Sequence, residues 1–160
     1  MKAGMTDSVD IRFELPKERL KINGQIISGK VHYAKLLTVI GAGNRKVKSP
    51  DIHKVKYLYD SLGIDVTTIR DTIAALWVSL AHQENTSRHA PLLNGKLSLD
   101  KIAIAAQTDI NDLMQIKGVV KNESAEYIFL SYAGETSWQL FYDKNKKCFI
   151  GANFNLIPLW

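Results

Sequence analysis

The chain has 160 residues, 46% of them hydrophobic and 23% charged, with a formal net charge of +5. This is the composition of an ordinary globular domain with enough chain to bury a core, and it excludes a disordered, collagenous or low-complexity polypeptide. No window approaches the ~18 uninterrupted apolar residues of a membrane span, and Cys148, the sole cysteine, excludes an internal disulfide.

In chain order, the N-terminal MKAGMTDSVD lacks an apolar signal region, so a cytoplasmic location is the expectation. Asp10 to Leu15 (DIRFEL) alternates polar and apolar residues, as a half-buried strand does. Arg19 to Ile27 (RLKINGQII) reads as a hairpin around Asn23-Gly24, two residues that tolerate positive φ. From Val31 to Ile40 the apolar residues Tyr33, Leu36, Leu37 and Ile40 follow helical spacing, and Gly41 stands at the C-cap position. Asn44 to His53 (NRKVKSPDIH) is expected to be a basic loop broken by Pro50. Lys54 to Tyr59 and Ile64 to Thr68 are strands joined by the turn DSLG, and Thr72 to Ala81 is read as a buried strand despite its alanines. His82 to His89 is a polar linker.

The second half continues with a strand-like run, Gly95 to Ile104. Thr108 and Asp109 then cap a short helix to about Ile116, which Gly118 ends. Strands are expected over Glu126 to Tyr132, Ser137 to Tyr142 and Cys148 to Leu156, with a turn at Asp143 to Lys146. The two halves echo one another. A shift of 77 sets Leu20 on Leu97, Ile22 on Leu99, Leu36 on Leu113, Val39 on Ile116 and Gly41 on Gly118. A shift of 71 then sets Leu58 on Phe129, Gly63 on Gly134 and Val78 on Phe149. The expected fold is therefore α+β. Residues 1–160 form one domain of two tandem strand-helix-strand-strand units, 10–82 and 92–158, whose antiparallel sheet carries helices on one face.

Catalytic and cofactor signatures are wanting. The segment LLTVIGAGNRKVK imitates a dinucleotide turn, but Lys46 occupies the third glycine's place and no helix follows. A P-loop and a G-x-S-x-G elbow are absent. His32, His53, His82 and His89 are scattered without ligand spacing. Asp60, Asp65, Asp109 and Asp112 sit where turns and helix starts use carboxylates. The chain is accordingly read as no enzyme, with no metal and no cofactor.

The charge is uneven. Arg12 to Lys56 holds 11 basic residues against Glu14, Glu18 and Asp51, a local balance of +8. Arg45, Lys46, Lys48, His53, Lys54 and Lys56 are the expected partner-binding patch, with Lys54 and Lys56 on one side of their strand. Trp77, Trp138 and Trp160 are candidate anchors: Trp160, after Pro158, is expected to be an exposed aromatic or a tail tucked over the sheet, and the other two are expected rather to pack in the core or at an edge. Such a patch suits an acidic protein surface; nucleic-acid phosphates are the alternative.

LKINGQI, the helix ending LTVIG, and KYLYDSLGIDV together resemble a family of uncharacterised bacterial domains with a pattern LKINGK…LG…YxWDDLG. The likeness covers Phe13 to Ala81, with Ser61 where that pattern has Asp, and NGKLSL echoes it more loosely. It implies a domain of the kind found at toxin and secretion loci, where small single-domain proteins serve as immunity proteins. The expected layout is also similar to that of beta-lactamase inhibitor protein, whose open sheet grips another protein, a likeness of architecture alone. The resulting expectation is a cytoplasmic immunity protein that occludes a cognate bacterial toxin, with no membrane partner. The alternative is a nucleic-acid-binding accessory protein using residues 45–56.

Overall fold

The structure is a computed structural model and describes residues 6–50, 53–81 and 92–157. Trp160 and the expected linker at His82 to His89 lie outside the described residues.

Alternation of side chains sets the strands. In β1 (Val9–Glu14), Val9, Ile11 and Phe13 are buried, while Asp10, Arg12 and Glu14 face outward. β2 (Arg19–Ile22) and β3 (Gln25–Ile26) form the hairpin around Asn23 (φ 48°) and Gly24 (φ 82°), the left-handed pair that a tight hairpin turn demands. α1 (Tyr33–Ile40) begins with His32 Nδ1 accepting from the Ala34 N–H. It ends at Gly41 (φ 80°), whose N–H donates to the Leu37 carbonyl. β4 (Arg45–Ser49), β5 (Lys54–Tyr59), β6 (Ile64–Ile69) and β7 (Thr72–Ser79) follow as an antiparallel meander.

β8 (Gly95–Leu99) and β9 (Ile102–Ile104) make a second hairpin around Asp100 and Lys101, again both left-handed. α2 (Ile110–Leu113) is capped by Asp109, and the meander β10 (Val120–Glu123), β11 (Tyr127–Tyr132), β12 (Ser137–Asp143) and β13 (Cys148–Asn155) closes the chain.

These strands build two sheets, not one. The smaller runs β3-β2-β1-β8-β9, with β1 and β8 parallel, and the larger runs β10-β11-β12-β13-β7-β6-β5-β4. Among the described residues 51% are strand and 9% helix. The expected α+β fold is therefore overturned: the molecule is mostly β and sandwich-like, and a second sheet opposes the first where helices were expected. The reason is physical. Period-two alternation marks a buried face but not what covers it. The parallel β1–β8 pairing, which joins segments far apart in sequence, leaves no local trace.

The core lies between the sheets. Ile11, Phe13, Leu20, Ile22, Leu97 and Leu99 of the smaller sheet share one cluster with Val66, Leu76, Val78, Leu140, Trp138 and Phe154 of the larger. Each such fully buried side chain contributes roughly 1.5–3 kcal/mol of transfer free energy. α1 extends the smaller layer: Tyr33 stacks on Tyr57 of β5 with ring centroids 3.8 Å apart. The Tyr33 and Tyr59 hydroxyls lie 2.6 Å apart, and Tyr59 donates its single proton to the Gly41 carbonyl at 2.9 Å, so Tyr33 donates to Tyr59.

Four local expectations need correction. Residues 45–49 are strand β4, not loop; β10 was not foreseen; residues 95–104 are two strands; and α2 stops at Leu113. At the 77 offset Leu20 and Leu97, Leu36 and Leu113, and the left-handed Gly41 and Gly118 stand in like places. Beyond the helices the strand bounds are Lys54–Tyr59 and Tyr127–Tyr132, 73 apart, so the 71 offset pairs residues two positions out of register.

Candidate functional site

The inner face of the larger sheet is filled by the core. Its outer face is not covered by any element among the described residues. Strand register lays a continuous row across all eight strands: Arg45, Leu58, Asp65, Trp77, Asn153, Gln139, Ser131 and Val120. Beside it, Gly151 of β13 is paired with Phe141 of β12, which is paired with Phe129 of β11.

Trp77 is the centre of this face. A Cβ on Gly151 would lie 2.3 Å from Trp77 Cζ2, so the indole lies across the bare glycine. Its Nε1–H donates to the Ser79 hydroxyl at 3.1 Å, which fixes the ring. Phe141 follows at 5.7 Å from Trp77, Phe129 at 5.5 Å edge-on from Phe141, and Tyr127 at 6.1 Å from Phe129. All four rings are half-buried, each shielded by its neighbours, and Gln139 stands exposed beside them. A rigid aromatic ladder flanked by amides combines large contact area with few rotamers to freeze on binding.

The basic residues border this face at the β4 edge. Arg45, Val47, Lys54 and Lys56 fall on its side, whereas Lys46 and Lys48 stand opposite Tyr57 and Val55 on the other. One continuous patch of all six does not form. Arg45 is already engaged: its Nε and one terminal nitrogen reach the two Asp60 oxygens at 2.8 and 2.9 Å. The hydrogen bond from Arg45 holds the Asp60 carboxyl below its usual range. Lys46, Lys48 and Lys54 are exposed, and Lys56 is half-buried. His53, with φ 48°, caps the approach to β5. Lysines along an edge strand also deter pairing with foreign strands.

Other residues singled out in the sequence have structural duties. Asp109 caps α2 by accepting from the Asn111 N–H, and Cys148 is buried. Trp138 is fully buried against Phe13 and Tyr132. Among the described residues no group of three or more His, Cys, Asp or Glu could hold a metal ion. Among the described residues no helix is long and apolar enough to cross a membrane. The aromatic ladder was not foreseen. Phe129 and Phe141 lie at alternate positions of strands that also bury Leu130 and Leu140, and alternation alone does not say which face meets solvent.

Residues 12–114 match a family described as a domain of unknown function, DUF7738. The chain belongs to this family. The match takes in the basic edge and Trp77 and stops before β10, so Phe129 and Phe141 lie beyond it. No match was found among curated proteins. Among solved structures, a cysteine-rich secretory protein from Staphylococcus aureus subsp. aureus Mu50 is similar with a TM-score of 0.50 at 13% identity. The alignment covers 94% of this chain and 50% of that one. An extracellular protein containing an SCP domain from Bacillus anthracis str. Ames is similar at TM-score 0.46 and 10% identity, over 81% of this chain and 43% of the other. The chain thus spans about half the length of either structure. At such identity the first likeness concerns the fold alone.

Proposed function

We propose that this DUF7738 chain is a non-enzymatic, cytoplasmic protein-binding inhibitor: an immunity protein that neutralises a cognate bacterial toxin by covering it with the outer face of the larger sheet. The observation that carries the reading is the aromatic ladder, uncovered among the described residues, with Trp77 seated on Gly151 and continued by Phe141, Phe129 and Tyr127. Contiguous half-buried rings on a rigid sheet suit a flat protein surface, because a few aromatic anchors supply most of the energy of such contacts. The basic edge beside it suits a partner with an acidic rim, whose charge would speed encounter. The resemblance to domains of toxin loci supplies the partner class.

The test is co-expression with the product of the adjacent gene. The pair is expected to co-purify, and the chain to restore growth of cells that the partner alone arrests. Trp77→Ala with Phe141→Ala is expected to abolish both effects while the protein stays folded. If neither co-purification nor rescue is seen with the wild-type chain, the reading fails.

A further inference from the structure

The larger sheet ends in two edges, β4 and β10. Among the described residues no strand pairs with the far side of β10, and β10, its neighbour β11 and the loops flanking them are all described. Val120, Lys121, Asn122 and Glu123 are all exposed, and neither a proline nor a bulge interrupts the pairing with β11. Those are devices by which an edge is usually blunted. Backbone alternation then tells which groups are free. Glu123 stands opposite Ile128, so the next pair is Ser124 with Tyr127, and there the Ser124 N–H donates to the Tyr127 carbonyl at 2.9 Å. In an antiparallel ladder every second residue turns its N–H and C=O to the same neighbour. Val120 and Asn122 thus turn theirs to β11, and Lys121 and Glu123 turn theirs to the open side. The residues with free backbone groups are the two charged ones, and their charges are opposite.

We propose that β10 pairs antiparallel with β10 of a second copy of this chain, about a two-fold axis at Asn122, so that two eight-stranded sheets join edge to edge. Charge sets the register. With Asn122 opposite its own counterpart, Lys121 of each copy lies opposite Glu123 of the other, and each such pair exchanges both of its backbone hydrogen bonds. Opposite charges across a strand pair stabilise it. A slip by two residues in either sense sets Lys121 against Lys121 or Glu123 against Glu123, and like charges directly opposite are destabilising. Within one copy Lys121 and Lys144 already reach Glu123, at 3.2 and 2.9 Å, but exposed pairs of this kind add little and leave the side chains free to lean across the seam. The other edge is unsuited to self-pairing: β4 carries Arg45, Lys46 and Lys48 without a carboxylate, so a second copy would set cation against cation. Residues opposite one another in an antiparallel pair project to the same face. Asn122 is paired with Phe129 on the outer face, so the aromatic ladders of both copies lie on one side of the joined sheet.

An edge of four residues belongs with interfaces below the ~1,200 Å² of a stable complex, so the association is weak and depends on concentration. Sedimentation equilibrium of the full chain from about 1 μM to about 1 mM is expected to show monomer passing to dimer. Lys121→Glu and Glu123→Lys each oppose like charges and are expected to weaken dimerisation roughly tenfold or more. Mixed together, these two variants are expected to form a heterodimer. The double variant, Lys121→Glu with Glu123→Lys, exchanges the charges and is expected to dimerise like wild type. All are expected to melt near the wild-type temperature, since both positions are exposed. A wild-type chain that stays monomeric throughout, single variants that dimerise as well as wild type, or a mixture that stays monomeric would each overturn the proposal. None of these outcomes bears on the protein-binding reading, which the Trp77 and Phe141 variants test separately.

Discussion

Single side chains carry most of what is testable. Gly151 gives Trp77 its seat, because any Cβ there would collide with the indole at 2.3 Å. Gly151→Ala is expected to lift the ring and cost about 1–3 kcal/mol as an overpacking change. Chemical denaturation would measure the loss, and tryptophan fluorescence would report the indole's new surroundings. Tyr132 offers a pH test. Burial, reinforced by Glu18 whose carboxylate accepts the Tyr132 hydroxyl at 2.6 Å, pushes its pKa up to about 12. In the unfolded chain tyrosine ionises near pH ~10. The folded state thus holds the proton more tightly, so its stabilising contribution is full below pH ~10 and is lost as the pH rises towards ~12. Denaturation midpoints should fall more steeply across that range for wild type than for Tyr132→Phe. Equal slopes would contradict the assignment. Residue roles such as these were only partly legible in the sequence. Gly41 showed itself as a cap because a helical period precedes it. Trp77 was expected rather in the core or at an edge, since its seat on the outer face depends on a glycine 74 positions later across the sheet.

Among the elements, α1 was the most legible and β4 the least. Helical spacing of Tyr33, Leu36 and Ile40 is a property of the segment itself, and all three are buried as that spacing requires. Leu36 is fully buried in the core. Leu36→Ala should therefore destabilise the fold by about 2–5 kcal/mol in equilibrium unfolding, the range for a large-to-small core change. A loss well under 1 kcal/mol would show α1 to be loosely attached. β4 has the opposite character. Arg45 to Lys48 are all exposed, including Val47 at 48%, so no buried face imprints a period on the run. It is a strand because β5 pairs with it, and Pro50 after its last residue suggested a break that falls just outside it. The same holds for β10, exposed along its whole length at the opposite edge. Edge strands of this kind take their conformation from a neighbour, and composition alone mimics a loop.

At the scale of the molecule, most of the individual strands were legible from alternation, although the chain as a whole was read as α+β and is mostly β. The partition into two sheets was not legible. It is set by β1 pairing in parallel with β8 and by β7 pairing with β13, contacts between distant segments that no local pattern encodes. That partition has the functional consequence. It assigns one face of the larger sheet to the core and leaves the other, with its aromatic ladder, uncovered among the described residues. The smaller sheet turns a different kind of surface outward: Asp10, Arg12, Glu14 and Lys21, joined in ion pairs such as Arg12 to Asp10 at 2.9 Å and Lys21 to Glu14 at 2.8 Å. Exposed pairs of this sort add little to stability or to binding. The two outer faces therefore make opposite predictions for a partner. The most direct test is the dissociation constant of the co-encoded protein, measured by titration calorimetry against wild type, Trp77→Ala with Phe141→Ala, and Arg12→Gln with Lys21→Gln. Loss of the two aromatic anchors is expected to weaken binding about 30-fold or more, the factor that corresponds to about 2 kcal/mol, while the charge variant stays within about threefold of wild type. Unchanged affinity in the aromatic variant, or a large loss in the charge variant alone, would contradict the account.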